Sequence, residues 1–271
     1  MPELPEVEIM CRNLRRWAAG RRLLRVERVD PRLPVELEAL AGGTVEGVGR
    51  RGKLALIHVA GPAPVVVLLH FRMSGKIVRE DQQPAGGRRR TVRLRLELEG
   101  PGPRCLVLDD SRCLARAEVL AEAELAAALE RRGLGPEPWP TRREPSWWQE
   151  RFAGARGAIK PALLQQHRVA GLGNIAASEA LFDARISPFT PVPQLDAAAW
   201  ARLAVAVPDF VDRVLDSESG DEIHLVQHGG PNPFRVYGRE GEPCGACGAP
   251  LQRAVQSGRA SFWCPRCQPG A

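Results

Sequence analysis

The chain has 271 residues, with Lys+Arg 38 against Asp+Glu 32 and a net charge of +6. That length supports one or two domains plus a small appendage. There is no run of 18 apolar residues and no basic segment leading into an apolar stretch at the N-terminus, so membrane spanning and secretion are not expected and a cytosolic protein is. The positive balance suits a polyanionic partner. Nearly all of it is arginine, the lysines being Lys53, Lys76 and Lys160. Bidentate phosphate contact and a GC-rich genome both produce such a bias.

In chain order, the first feature is MPELPEVEIM, with proline directly after methionine and glutamate directly after proline. Removal of methionine before so small a residue leaves Pro2 as a free secondary amine. An α-amino group has a pKa near 8, so roughly a tenth of it is unprotonated at neutral pH. Such an amine can attack a sugar carbon or an aldehyde and form a Schiff base, with Glu3 placed to move the proton. A solvated, tolerant chain end is the plainer alternative.

Residues 6–20 put Val7, Met10, Leu14, Trp17 and Ala18 on one helical stripe that stops at Gly20. The period then changes to two in RTVRLRLELE, while LALIHVA, PVVVLLHF and RCLVLDD read as buried strands between Gly/Pro turns. A β-rich domain with a leading helix is therefore expected to about residue 120, folded on itself as a sandwich or barrel. From about residue 117 the pattern is helical in EVLAEAELAAALERRG, and LGPEPWPTRREPS follows as a proline-rich connector. Next come a helix, a tight glycine turn and a helix in ARGAIKPALLQQHRVAGLGNIAASEALFDARISP, and a further helix in LDAAAWARLAVAVPDFVDRVLD.

The tail carries Cys244, Cys247, Cys264 and Cys267 as two C-x₂-C knuckles 16 residues apart, whereas Cys11, Cys105 and Cys113 are scattered. This is zinc-ribbon spacing rather than a disulfide framework. Four thiolates close the tetrahedron of one structural Zn²⁺ and leave no open position for catalysis. In the hairpin between the knuckles, SGRASFWC puts Arg259 at the tip beside small residues, as a phosphate contact or a solvated charge.

MPELPEVE, HFRMSG, LGPEP, AIKPALL, GLGNIAASEALF, VYGREGEPC and the cysteine tail occur in this order along the whole chain. Together they resemble the formamidopyrimidine-DNA glycosylase and endonuclease VIII family, and MPELPE is closer to the formamidopyrimidine branch. The resemblance implies a base-excision repair enzyme that extrudes an oxidised base from duplex DNA, cleaves its glycosidic bond and nicks the strand by β,δ-elimination. Extrusion is needed because the reacting carbon is unreachable inside the stack. Pro2 matches the family nucleophile and Glu3 the family acid, and the resemblance adds Lys53 to this catalytic set as the lysine that contacts the backbone near the lesion. His70 matches a phosphate contact, Asn174 the phosphate-binding asparagine of a helix-two-turn-helix, and Lys160 a residue near the lesion pocket. Glu179 fits the family pattern in a supporting place.

The hole left by the base is filled in the family by three side chains. Met73 matches the first. The other two lie in a segment that usually reads D-x-R-R-F-G, aligned here with Asp110, Ser111, Arg112, Cys113, Leu114 and Ala115. Arg112 then fits the residue that reads the opposite base, and Leu114 replaces the wedge phenylalanine, so opposite-base preference and lesion search are where this chain departs. The segment SGDEIHLVQHGGPNPFR does not match the loop that closes over an oxidised purine, so 8-oxoguanine recognition does not carry over.

The implied fold is α+β: a β-sandwich catalytic domain with an N-terminal helix over 1–120, a helix and Pro-rich linker over 121–150, a helix-two-turn-helix domain over 151–239, and a zinc-finger β-hairpin over 240–271. The implied partner is damaged double-stranded DNA, bound by a monomer in the bacterial cytoplasm and associated with the nucleoid through DNA. Two alternatives stand beside it. One is a specialist for oxidised pyrimidines or abasic sites, the other a non-catalytic damaged-DNA-binding relative. Retention of both Pro2 and Glu3 argues against the second.

Overall fold

The computed structural model describes residues 2–82, 91–217 and 234–270. QQPAGG falls mostly, and SGDEIHLVQHGGPNPFR almost wholly, outside the described residues, as does Met1. The described chain falls into two compact units that meet in sequence at Arg132 and Gly133.

In the first unit, α1 (Leu4–Ala18) buries Val7, Met10, Leu14 and Trp17, the stripe expected from the sequence, against β2 (Thr44–Arg51) and β3 (Leu54–Ala60). Pro5 sits in the first turn of α1, where a missing N–H costs no helical hydrogen bond. The strands form two four-stranded antiparallel sheets, which make the sandwich. One has the order β2, β3, β4 (Val65–His70), β8 (Arg116–Ala121). The other runs β1 (Leu23–Arg28), β6 (Val92–Leu98), β7 (Cys105–Asp109), β5 (Lys76–Arg79). Alternation along β6 puts Val92, Leu94, Leu96 and Leu98 inside and leaves the residues between them partly exposed. Val66–Leu69 of β4 and Leu106–Leu108 of β7 are buried on both faces.

One expected element differs. The segment after residue 117 begins as β8, not as a helix: Val65–His70 pairs with Ala121–Arg116 residue by residue, and α2 starts only at Leu125 and ends at Arg131. The open edge of β4 supplies hydrogen bonds that outweigh the helical propensity of an Ala/Glu/Leu-rich stretch.

The second unit holds α3 (Pro145–Phe152), α4 (Ile159–Leu163), α5 (Asn174–Asp183), α6 (Ala197–Ser217) and the hairpin β9 (Gln252–Gln256) and β10 (Arg259–Trp263). α6 packs on α3 and α5, with the Phe152 ring stacked on Trp200 at 5.7 Å. The connector before α3 is pinned to α6. Trp139 Nε1 donates to Asp212 at 2.7 Å, and Arg142 reaches Asp209 at 2.6 Å and Asp212 at 2.9 Å.

Candidate functional site

Glu3 is the N-cap of α1, and the helix opens with a reciprocal box in which the Glu3 backbone N–H donates to Glu6 Oε2 at 2.8 Å and the Glu6 backbone N–H reaches the Glu3 side chain. Pro2 is buried and Glu3 is 1% exposed, so residues 2 and 3 are held rather than frayed. Burial, and then the neighbouring Glu3 carboxyl, push the Glu6 pKa up to about 7.

Lys53 lies in the two-residue hairpin between β2 and β3. Gly52 precedes it with φ +58, the left-handed geometry that a glycine-led tight hairpin uses. Arg50, almost wholly buried, joins this hairpin to α1 by donating to Gly52 O at 3.0 Å and to Glu8 Oε2 at 3.0 Å. Glu8 also holds Arg12 at 3.2 Å and Arg15 at 3.3 Å. Sequence reading passed over this tie because its members lie on separate elements.

His70 ends β4. Its Nδ1 accepts the Arg72 N–H at 3.0 Å, so in the neutral ring Nε2 carries the proton. Burial, followed by the positive charges of Arg72 and Lys53, lowers its pKa to about 4, so the ring offers a neutral donor at neutral pH. Just beyond it, the turn 71–75 carries half-buried Met73, and the turn 110–115 carries exposed Arg112 and half-buried Leu114.

The second unit gathers another set. Asn174 is the first residue of α5, after a turn in which Gly171 has φ +93. Gln166, which sequence reading did not single out, closes this turn. Its side chain accepts the Gly171 N–H at 2.9 Å and donates to Leu172 O at 2.8 Å and Leu164 O at 3.1 Å. Lys160, expected beside a lesion pocket, is 1% exposed and spends its ammonium inside the unit. It donates to Asn174 Oδ1 at 2.7 Å, Ala260 O at 2.8 Å and Ser261 Oγ at 2.8 Å. A buried ammonium needs all three donors matched. Asn174 Nδ2 also donates to Ala260 O at 2.8 Å, so the glycine turn and the hairpin are joined one residue from exposed Arg259. Arg259 follows the Ser257–Gly258 turn, both residues of which have positive φ.

Glu179 takes the supporting place anticipated for it. It is fully buried, accepts the Arg235 N–H at 2.8 Å and the Val236 and Tyr237 N–H groups at 2.9 Å each, and lies 3.6 Å from Arg213. It thereby fixes the VYG segment that leads to the cysteines.

The four sulfurs of Cys244, Cys247, Cys264 and Cys267 lie within 4.8 Å of one another, with Cys244–Cys267 at 3.9 Å and Cys247–Cys264 at 3.4 Å. A Zn–S bond of about 2.3 Å gives sulfur–sulfur edges of about 3.8 Å, so the cluster fits one tetrahedral Zn²⁺. Val236, Leu251 and Phe262 pack under it as a small core. The zinc is structural, because every ligand position is a thiolate of this chain.

Three family models match the chain: the formamidopyrimidine-DNA glycosylase N-terminal domain over residues 1–117, its H2TH domain over 134–222, and the zinc finger found in FPG and IleRS over 241–270. Among curated relatives, formamidopyrimidine-DNA glycosylase of Aromatoleum aromaticum is 37% identical over 99% of each chain. That of Chloroflexus aurantiacus is 35% identical over 99% of this chain and 98% of its own. Among solved structures, Lactococcus lactis Fpg in complex with DNA containing an abasic site has a TM-score of 0.85 at 28% identity, covering 99% of this chain and 100% of that one. MutM in complex with DNA containing carbocyclic 8-oxo-G has a TM-score of 0.83 at 28% identity, with the same coverage. Among the described residues no helix is long and apolar enough to cross a membrane.

Proposed function

Because the chain belongs to the formamidopyrimidine-DNA glycosylase family, whose members are DNA glycosylases with AP lyase activity, we propose that Pro2 is its nucleophile and Glu3 its proton carrier. The observation that carries this reading is the capped head of α1, which pins the Glu3 carboxyl, 1% exposed, directly after the residue whose nitrogen must react.

The lone pair of the Pro2 nitrogen attacks C1′ of an extruded nucleotide. The C1′–N bond breaks, and the base leaves with its electron pair and a proton. Opening of the sugar ring gives an iminium on Pro2, which acidifies the C2′ hydrogen. Loss of that proton expels the 3′ phosphate, and the corresponding elimination across C4′ expels the 5′ phosphate. A buried carboxyl beside the nitrogen is suited to carrying protons between these steps.

Lys53, His70, Asn174 and Arg259 are the proposed backbone contacts, His70 as a neutral Nε2–H donor and Arg259 as a charged fork. Lys160 acts one step back, by orienting Asn174 and the hairpin. Met73, Arg112 and Leu114 fill the gap left by the extruded base. The catalytic role falls to the domain over 1–120, and the grip on DNA to 151–239 and the zinc finger over 240–271, linked by 121–150. The working species is a cytoplasmic monomer on damaged duplex DNA. Affinity falls steeply with salt, because phosphate contacts release counterions.

Borohydride trapping on duplexes carrying 8-oxoguanine, formamidopyrimidine, an oxidised pyrimidine or an abasic site tests the proposal. The expected result is a covalent adduct that peptide mass spectrometry maps to the Pro2 nitrogen, and the ranking of the panel names the preferred lesion. Tight binding with no adduct on any duplex overturns the mechanism and favours the non-catalytic alternative.

A further inference from the structure

We propose that the buried carboxylate of Asp110, bridged by the Ser74 hydroxyl, joins the two turns that carry Met73, Arg112 and Leu114 into one preformed wedge. Asp110 and Ser74 are thereby positioning residues for base extrusion. The inference rests on the void-filling role proposed above for those three side chains.

The topology sets the turns side by side. His70 of β4 pairs with Arg116 of β8 in one sheet, and Lys76 of β5 pairs with Asp109 of β7 in the other. The segments 71–75 and 110–115 therefore cross from sheet to sheet at the same end of the sandwich. Asp110 is 0% exposed, and its side chain serves both segments. Oδ2 accepts the N–H groups of Leu114 and Ala115, both at 2.7 Å. Oδ1 accepts the Arg112 N–H at 3.3 Å and a short hydrogen bond from the Ser74 hydroxyl, which itself accepts the Arg112 N–H at 3.1 Å. One carboxylate thus fixes the backbone of two of the proposed inserting residues and, through Ser74, the neighbour of the third.

The backbone around these residues has conformations that only an over-determined loop keeps. Arg72 has φ +57 and Cys113 has φ +58, so one left-handed residue precedes Met73 and another separates Arg112 from Leu114. Gly75 closes the first turn where a Cβ would stand 2.5 Å from Phe71 O. A wedge ordered in advance enters the base stack without losing loop entropy at that moment, which favours the extruded state. Asparagine replaces Asp110 poorly, since its amide NH2 would face either the Leu114 and Ala115 N–H groups or the Arg112 N–H, donor against donor.

Ser74→Ala cuts the bridge while leaving the N–H groups of Leu114 and Ala115 on Asp110. Its readout is the rate of 2-aminopurine fluorescence change next to a lesion in duplex DNA, divided by the rate of borohydride trapping on a single-stranded abasic site, where no stack needs wedging. The expected ratio is about tenfold below that of the unmodified chain. In a double-mutant cycle with Leu114→Ala the losses overlap instead of multiplying, because both act on one block. Asp110→Asn lowers the ratio at least as far as Ser74→Ala. A Ser74→Ala ratio equal to that of the unmodified chain, or losses that multiply, overturns the inference. Absence of trapping by the unmodified chain on every substrate overturns the mechanism of the preceding subsection instead.

Discussion

Glu6 offers a measurable consequence of how the head of α1 is built. Its carboxyl is buried beside Glu3 and is pushed up from an ordinary 4.5 to about 7. The folded protein therefore keeps a proton that the unfolded chain gives up. The resulting stabilisation is complete below about pH 4.5 and is lost as the pH rises through about 7. At about 1.4 kcal/mol per pH unit, that interval is worth about 3 kcal/mol. Glu6→Gln keeps an oxygen to accept the Glu3 N–H and removes the titration. The variant should match the unmodified chain within about 0.5 kcal/mol at pH 4.5 and exceed it by about 3 kcal/mol at pH 8. Hydrogen exchange of the buried β4 amides of Val66–Leu69 reads the opening of this unit alone, with the two proteins compared at each pH. A gap that stays constant from acid to alkaline pH would refute the reasoning, since it would mean that Glu6 ionises alike in both states.

Three further outcomes can be checked together. The His70 ring, held down to about 4, should titrate far below an ordinary histidine in ¹⁵N NMR and keep Nδ1 unprotonated at pH 6. Stability from this group is present above about pH 6.5 and is lost as the pH falls through the folded value; a midpoint near 6.5 contradicts the assigned geometry. Glu179→Gln sets an amide donor against backbone N–H groups and should cost about 1–3 kcal/mol, seen as a lower denaturation midpoint and faster exchange at Val236 and Tyr237. Chelation of zinc, or Cys264→Ala, should abolish exchange protection at Ser261 and Trp263, whose amides face β9, and lower DNA affinity, whereas α1 amides keep theirs.

Local chemistry was legible from the chain alone. The two cysteine knuckles imply a metal because each pair shares one turn, and the stripe of α1 and the alternation of β6 follow from side-chain periods that need no distant partner. The proposed Pro2–Glu3 pair is likewise readable, since residues adjacent in sequence remain adjacent in space. Tertiary structure decided what depends on partners far along the chain. The segment 116–121 is a strand because β4 has an open edge, although its composition favours a helix. Lys160 resembles a lysine beside a lesion pocket, yet its charge is consumed by Asn174, Ala260 and Ser261, the latter two lying a hundred residues away. Asp110 reads as one letter of a familiar segment. Only folding brings Ser74 to it and gives one carboxylate two turns to hold, because a buried charge is tolerated only where the chain supplies enough donors around it.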